Sequence, residues 1–235
     1  MMDAMILAAG RGERMRPLTD TLPKPLLSVG GKPLIVRHVE NLVRGGFRHI
    51  VINHAHLGAM IEERLGDGNA FGIAIDYSRE DVALETAGGI AFARHLLGDA
   101  PFLVVNGDIY CELDFGVLAR RLPSMKATGS LAHLVLVTNP AHHSAGDFAL
   151  DGGRVRNDAA PRLTFSGIAL YCPELFMGLT PGEKAKLAPL LRSAADAGAV
   201  SGEHFRGRWE DVGTPQRLVE LDRELAHRAA EHARG

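Results

Sequence analysis

The strongest constraint on the fold is a repeated switch between short apolar runs and longer stretches of helical periodicity. Met5 to Ala9, His49 to Ile52, Gly72 to Tyr77 and Phe102 to Val105 are each too short and too uniformly apolar for helices. Such runs read as strands covered on both faces, which is the habit of parallel sheets. Between them, Leu34, Ile35, Val39, Leu42 and Val43 recur on one helical face, entered at Pro33 and stopped at Gly45-Gly46. Further helices are expected over Leu57 to Leu65, ended by Gly66-Asp67-Gly68, and over Gly89 to Leu97. Strand, helix, strand in this order predicts three layers, with helices on both faces of a mostly parallel sheet.

Past Val105 the pattern loosens. Phe115 to Leu122 reads as helix, with Asp114 as its cap, and Leu131 to Val137 as a strong strand. Asp151-Gly152-Gly153 centres a hairpin over Gly146 to Val155, and Leu163 to Tyr171 returns to the sheet. Pro189 to Ala197 is predicted helical and Val200 to Trp209 extended. A last helix runs from Thr214 to about His232, with Thr214 as cap and Pro215 in the first turn. One domain over 1–235 is expected, with a peripheral part within about 109–205.

Charge excludes some partners. The 26 Lys and Arg against 28 Asp and Glu give a net charge of -2, so no polycationic surface for nucleic acid or membrane is expected. Cys111 and Cys172 are too few for a disulfide framework and lack metal-ligand spacing. The start MMDAMILAAGRG has no basic leader, and no run reaches 18 apolar residues, so a cytoplasmic protein is expected. The 27 glycines in 235 residues exceed the usual ~7% and suggest tight turns or backbone close to a ligand.

Three constellations carry chemistry. In the first, Ala9-Gly10-Arg11-Gly12-Glu13-Arg14 leaves the first strand where α/β sheets bind ligands. Gly10 and Gly12 would let backbone N–H groups approach phosphate, and Arg14 offers a two-pronged donor. Neither a Walker A ending nor the third glycine of a dinucleotide fingerprint is present. A plain turn with surface arginines is the alternative. Lys24 follows, bracketed by Pro23 and Pro25 and so restricted in presentation, as a point cation or simply an exposed lysine. In the second, Asn106-Gly107-Asp108 ends the fourth strand and Trp209-Glu210-Asp211 precedes the last helix. Asp108 and Asp211 could share a Mg²⁺ ion, which favours hard oxygens; a turn role for Asp108 and a capping role for Asp211 are the alternatives. In the third, Leu84-Glu85-Thr86-Ala87-Gly88-Gly89 precedes a helix and could present N–H groups to a base or sugar.

At these motifs the chain resembles the sugar-1-phosphate nucleotidyltransferases. LAAGRGERMRPLT, LPKPLL, VINHAHLG, LETAGG, LVVNGD, HHSAGDF, LTFSGI and RGRWEDVGTP carry the likeness over nearly the whole chain. NHAHLG, LETAGG and HHSAGDF point to the branch that joins UTP to N-acetyl-α-muramate 1-phosphate. Branches using mannose or glucose 1-phosphate share the framework. The resemblance implies a Rossmann-like, GT-A-like αβα fold with a mostly parallel mixed central sheet; a monomer or weak homodimer is expected. It implies catalytic Arg14, Lys24 and Asp108, and nucleotide contacts from Ala9, Gly10, Gly12, Arg14, Lys24, Ala83, Glu85, Gly88 and Asn106. Mg²⁺ would sit on Asp108 and Asp211, and the sugar near Asn53, His54, Ser166 and Gly167. For His54 a packing role is the alternative. The Glu-Lys-Pro motif of larger relatives is absent, leaving Arg156 and Arg162 as candidates for the sugar phosphate. Asp81-Val82-Ala83 also departs from the glycine or proline usual before the LET segment. A nucleotide-sugar-binding regulatory module is the non-enzyme alternative. An NAD-linked oxidoreductase fits the glycine spacing poorly.

Overall fold

In a computed structural model describing residues 2–232, the predicted alternation is realised as a nine-stranded mixed sheet with helices on both faces. Residues 1 and 233–235 of the expected domain lie outside the described residues. In chain order the first half comprises β1 (Asp3–Leu7), β2 (Ser28–Val29), β3 (Lys32–Pro33), α1 (Leu34–Arg44), β4 (His49–His54), α2 (Gly58–Leu65), β5 (Ala74–Arg79), α3 (Glu85–Leu97) and β6 (Phe102–Asn106). The second half comprises β7 (Ile109–Cys111), α4 (Phe115–Ala119), β8 (Ala132–Val137), β9 (Phe148–Asp151), β10 (Arg154–Arg156), β11 (Arg162–Tyr171), α5 (Leu187–Asp196), β12 (Val200–Phe205), β13 (Trp209–Asp211) and α6 (Pro215–His232). Among the described residues no helix is long and apolar enough to cross a membrane.

The sheet order is β5-β4-β1-β6-β11-β8-β12-β10-β9. Its first four strands are parallel, β11 runs antiparallel to β6 and β8, and β9 and β10 form the expected peripheral hairpin. The uniformly apolar strands follow from this layering. Along β1, Ala4 and Ile6 join one core and Met5 the other; along β6, Leu103 and Val105 part from Phe102 and Val104 in the same way. Helix α1 covers the first face with Ile35, Val39 and Leu42, while α3 and α5 cover the second with Ile90, Leu97 and Leu191. Each such side chain contributes roughly 1.5–3 kcal/mol through burial.

The chain leaves β1 toward β4 and β5, then crosses back through α3 to β6 on the other side of β1. That reversal opens a crevice beyond the carboxyl ends of β1, β4 and β6, where open α/β sheets take ligands.

Strand parity at the end of β4 corrects the expectation for His54. Successive side chains of a strand face opposite ways, so Asn53 lines the crevice and His54 turns away from it. The His54 ring, 5% exposed, bonds Glu62 Oε1 on α2 through Nε2 at 2.7 Å and lies against the Gly58 backbone. Arg79, bonded to the same carboxylate, holds Glu62 down to about 2. His54 therefore clamps α2 onto the sheet. A Cβ on Gly58 would lie 1.9 Å from His54 Nδ1. Helix propensity alone would favour alanine by about 1 kcal/mol, yet overpacking should win, and Gly58→Ala should destabilise the protein by about 2 kcal/mol in urea unfolding. Equal or greater stability would contradict the clamp.

Candidate functional site

The crevice holds a cavity of about 430 Å³ whose floor is the end of β1 and the loop after it. Ala8 N–H donates to both the backbone carbonyl and the Oδ1 of Asn53, at 3.2 and 3.0 Å. Ala9 and Gly10 form the wall, and a Cβ on Gly10 would meet no atom within 4 Å. No packing demand explains glycine there, and the backbone stands open to the cavity. Gly12 differs. It sits at φ +67 with its carbonyl accepting from Thr19 Oγ1 at 2.8 Å and its Cα against Thr19 and Lys24. It makes the turn rather than the wall. Arg14 is exposed on the short turn Glu13–Met15, off the cavity wall, and makes no hydrogen bond or ion pair among the described residues.

Lys24 opens a single helical turn between its two prolines and is 7% exposed. Its Nζ lies 2.5 Å from Asp108 Oδ2, so the two residues expected to act together already touch. Asp108 reaches the crevice because Gly107 lets β6 pass close to β1: Gly107 N–H donates to Leu7 O at 2.8 Å, and a Cβ would crowd that oxygen.

The second carboxylate arrives through a pairing that no local pattern signals. Strand β7, directly after Asp108, pairs antiparallel with β13, setting Asp211 opposite Ile109. Val212 N–H then donates to Asp108 O at 3.2 Å. The two acidic turns thus meet at the backbone. Asp211 Oδ2 lies 2.8 Å from Arg217 Nη1 and 3.4 Å from His142 Nε2. Two carboxylates on adjoining turns, both partly exposed and each balanced by a cation, suit a hard divalent ion that keeps several waters.

Opposite the loop, Ala83 and Glu85 form the other wall. Helix α3 begins at Glu85, four residues before the predicted start, and Glu85 holds φ +63. That position is strained for a residue with a side chain. The earlier start corrects the role expected of Gly88. Its N–H donates to Ala185 O at 3.0 Å, and a Cβ would lie 2.4 Å from Glu183 O. Gly88 therefore lets the segment before α5 dock on α3 and has no free N–H for a base. This docking brings Lys184 to the cavity wall, with no sequence signal to announce it. Glu80, also unforeseen, is 6% exposed. It accepts from Asn53 Nδ2 at 2.7 Å and from Leu84 N–H at 2.9 Å, bracing loop, strand and α3 together. Asn53 lines the cavity with both ends of its amide already engaged.

Asn106 lines the cavity as expected, whereas Ser166 and Gly167 lie behind it. They form a bulge in β11, between Phe165 and Ile168. Ser166 Oγ donates to Val135 O at 2.7 Å and accepts from Ile168 N–H at 3.1 Å. With its hydroxyl spent inside the sheet, Ser166 is a bulge residue and not a sugar ligand. Gly167, at φ +78, leaves room for the Asn106 amide, 2.5 Å from where a Cβ would be. Arg156 pairs with Asp158 and Arg162 donates to Asn157 O, both away from the cavity.

The sheet is that of a nucleotidyltransferase, and the chain belongs to the nucleotidyl transferase family, whose pattern matches residues 3–228. It is 54% identical over 223 residues, 93% of this chain and 96% of the relative, to the N-acetylmuramate alpha-1-phosphate uridylyltransferase of Neisseria meningitidis serogroup B. It is 34% identical to the Caulobacter vibrioides protein of the same name, covering 95% of this chain and 96% of that one. In fold it matches a Bacillus anthracis structure, assigned as a glucose-1-phosphate thymidylyltransferase in complex with sucrose. The TM-score is 0.84 at 23% identity, over 96% of each chain.

Beneath Asp108, His38 of α1 is buried with Nε2 2.9 Å from Ile109 O. Burial pushes its pKa down to about 4, so it is neutral and its Nε2–H donates. Between pH 6.5 and 4 the unfolded chain binds a proton that the folded chain refuses, so stability falls as pH falls through that window. The loss should reach about 3 kcal/mol by pH 4. His38→Gln, which keeps a donor but cannot titrate, should lose visibly less stability from pH 7 to 4.5 in urea melts. Parallel losses in both proteins would refute the assignment.

Proposed function

We propose that the protein transfers UMP from UTP to N-acetyl-α-muramate 1-phosphate, giving UDP-N-acetylmuramate and pyrophosphate, in cell-wall sugar recycling. The observation that carries this reading is the backbone contact between the Asp108 and Asp211 turns, with Asp108 and its partner Lys24 on the wall of a cavity floored by the glycine loop. The muramate acceptor and UTP follow from the relative at 54% identity over nearly its whole length.

The acceptor's phosphate supplies the nucleophile. One of its oxygens attacks the α-phosphorus of UTP, forming a new P–O bond as the bond to the bridging oxygen of pyrophosphate breaks. Its second pKa is near 6, so at neutral pH this oxygen is already largely ionised and no protein base is required. The chain's task is to position two anions against each other and balance their charge. The Ala9-Gly10 backbone offers an unobstructed approach for the triphosphate, and Arg14, exposed on the same loop, can fold over it. Lys24, restricted by its prolines, brings an ammonium to the reacting phosphate. Ala83 and Glu85 border the base and ribose, braced from behind by Glu80 and Asn53. Asp108 and Asp211 would hold Mg²⁺, which supplies positive charge against the phosphate oxygens when bound. The acceptor sugar occupies the side built by the peripheral part within about 109–205. A monomer or weak homodimer is the assembly proposed for the protein. A cytoplasmic setting accords with the supply of UTP.

A panel crossing N-acetylmuramate, N-acetylglucosamine, glucose and mannose 1-phosphates with UTP, dTTP, GTP and ATP tests this through pyrophosphate release. The highest kcat/KM is expected for N-acetylmuramate 1-phosphate with UTP; a larger value for glucose or mannose 1-phosphate would move the protein to a neighbouring branch. Asp108→Asn should lower kcat by about a thousandfold while the variant still unfolds in one cooperative transition. Wild-type turnover in that variant would contradict the role given to Asp108.

A further inference from the structure

Beyond Lys184 on the cavity wall, none of the cations named so far is given to the acceptor phosphate. Lys24 is engaged with Asp108, the Glu-Lys-Pro motif is missing, and Arg156 and Arg162 bond elsewhere. One guanidinium does reach the second of the two carboxylates, Asp211. Arg217, the third residue of α6, places Nη1 2.8 Å from Asp211 Oδ2, 3.0 Å from Asp211 O and 2.9 Å from His142 Nε2. Its Nε lies 3.4 Å from Thr214 Oγ1. The position is prepared for it: a Cβ at residue 213 would stand 2.7 Å from Arg217 Nη2, so Gly213 leaves space for the fork. Nη2 makes no hydrogen bond to any described residue, which leaves one prong of the fork for another anion.

A divalent ion that takes Asp211 Oδ2 displaces the guanidinium from that oxygen, and one that takes Oδ1 still meets its charge. Whichever is bound there opposes the other, because two positive charges at such separation repel strongly in a partly buried site. An arginine released from that oxygen presents the planar two-donor geometry that phosphate favours. We propose that Arg217 is an acceptor-binding residue that doubles as a placeholder: it holds Asp211 until the divalent ion arrives, and then turns its fork to the phosphate of the sugar 1-phosphate. This rests on the metal and acceptor assignments of the proposed function.

Mn²⁺ titration followed by electron paramagnetic resonance, without nucleotide, reads the first half. Steady-state kinetics read the second. Arg217→Ala should bind Mn²⁺ about tenfold more tightly than wild type, since a competing cation has gone. The same variant should show an acceptor KM raised about tenfold or more, with the KM for UTP held within about twofold. A merely structural arginine would weaken metal and both substrates together. Arg217→Gln, which keeps hydrogen-bonding capacity without charge, is read in the same way should the alanine variant fail to fold. A folded variant that binds Mn²⁺ no more tightly, or that leaves the acceptor KM unchanged, overturns the proposal. Asp211→Asn marks the separate failure: if it binds Mn²⁺ as wild type does, the metal assignment falls and Arg217's exchange falls with it.

Discussion

Everything at the site depends on a three-residue antiparallel contact. β7 and β13 are three residues each and join segments about a hundred residues apart, yet they decide where Asp108 and Asp211 stand. The contact is reinforced from both ends. Val212 N–H closes onto Asp108 O, and the Trp209 indole N–H donates to Ser166 O at 2.9 Å, tying β13 to the bulge in β11. From below, His38 holds the Ile109 carbonyl in the same register. Backbone pairing of this kind fixes two carboxylates more rigidly than long side chains could, and preorganised charge is what phosphoryl chemistry most needs from a protein.

The second organising feature is charge balance before any ligand binds. Lys24 on Asp108 and Arg217 on Asp211 spare the fold two adjacent uncompensated carboxylates. On the proposed reading the same cations also face the phosphates. An enzyme joining two polyanions meets repulsion both in its empty state and in its substrates, and exchangeable pairs address both. The cavity's other side is built for stiffness. Asn53 and Glu80 use their polar atoms on each other and on the Ala8 and Leu84 amides, so the floor and the base-side wall keep their spacing.

Much of this was legible in the chain. The parallel half of the sheet was readable because strands covered on both faces must be apolar throughout, and the glycine loop because it follows such a strand directly. The Gly10 backbone, Lys24 and Asp108 then fell where the topology predicts a ligand. Less readable were features set by contacts between distant segments. Three residues, Ile109 to Cys111, give no periodic signal, and β13 merged into the extended stretch before it. Nothing near Leu84 resembles a helix cap, so α3 was expected to start too late and Gly88 was credited with a free N–H. Ser166 and Gly167 were placed at the sugar on resemblance, whereas the bulge turns them inward. His54 and Asn53 differ by one position, and strand parity separates them once either is placed.

The account stands on one divalent ion being shared by the two turns. The direct measurement is a crystal structure with a non-hydrolysable UTP analogue and Mn²⁺, located by its anomalous scattering. The account predicts a single peak beside the α-phosphate, with carboxylate oxygens of both Asp108 and Asp211 at about 2.1–2.3 Å. A peak bound by only one of them, while the other keeps its present cation, would contradict it.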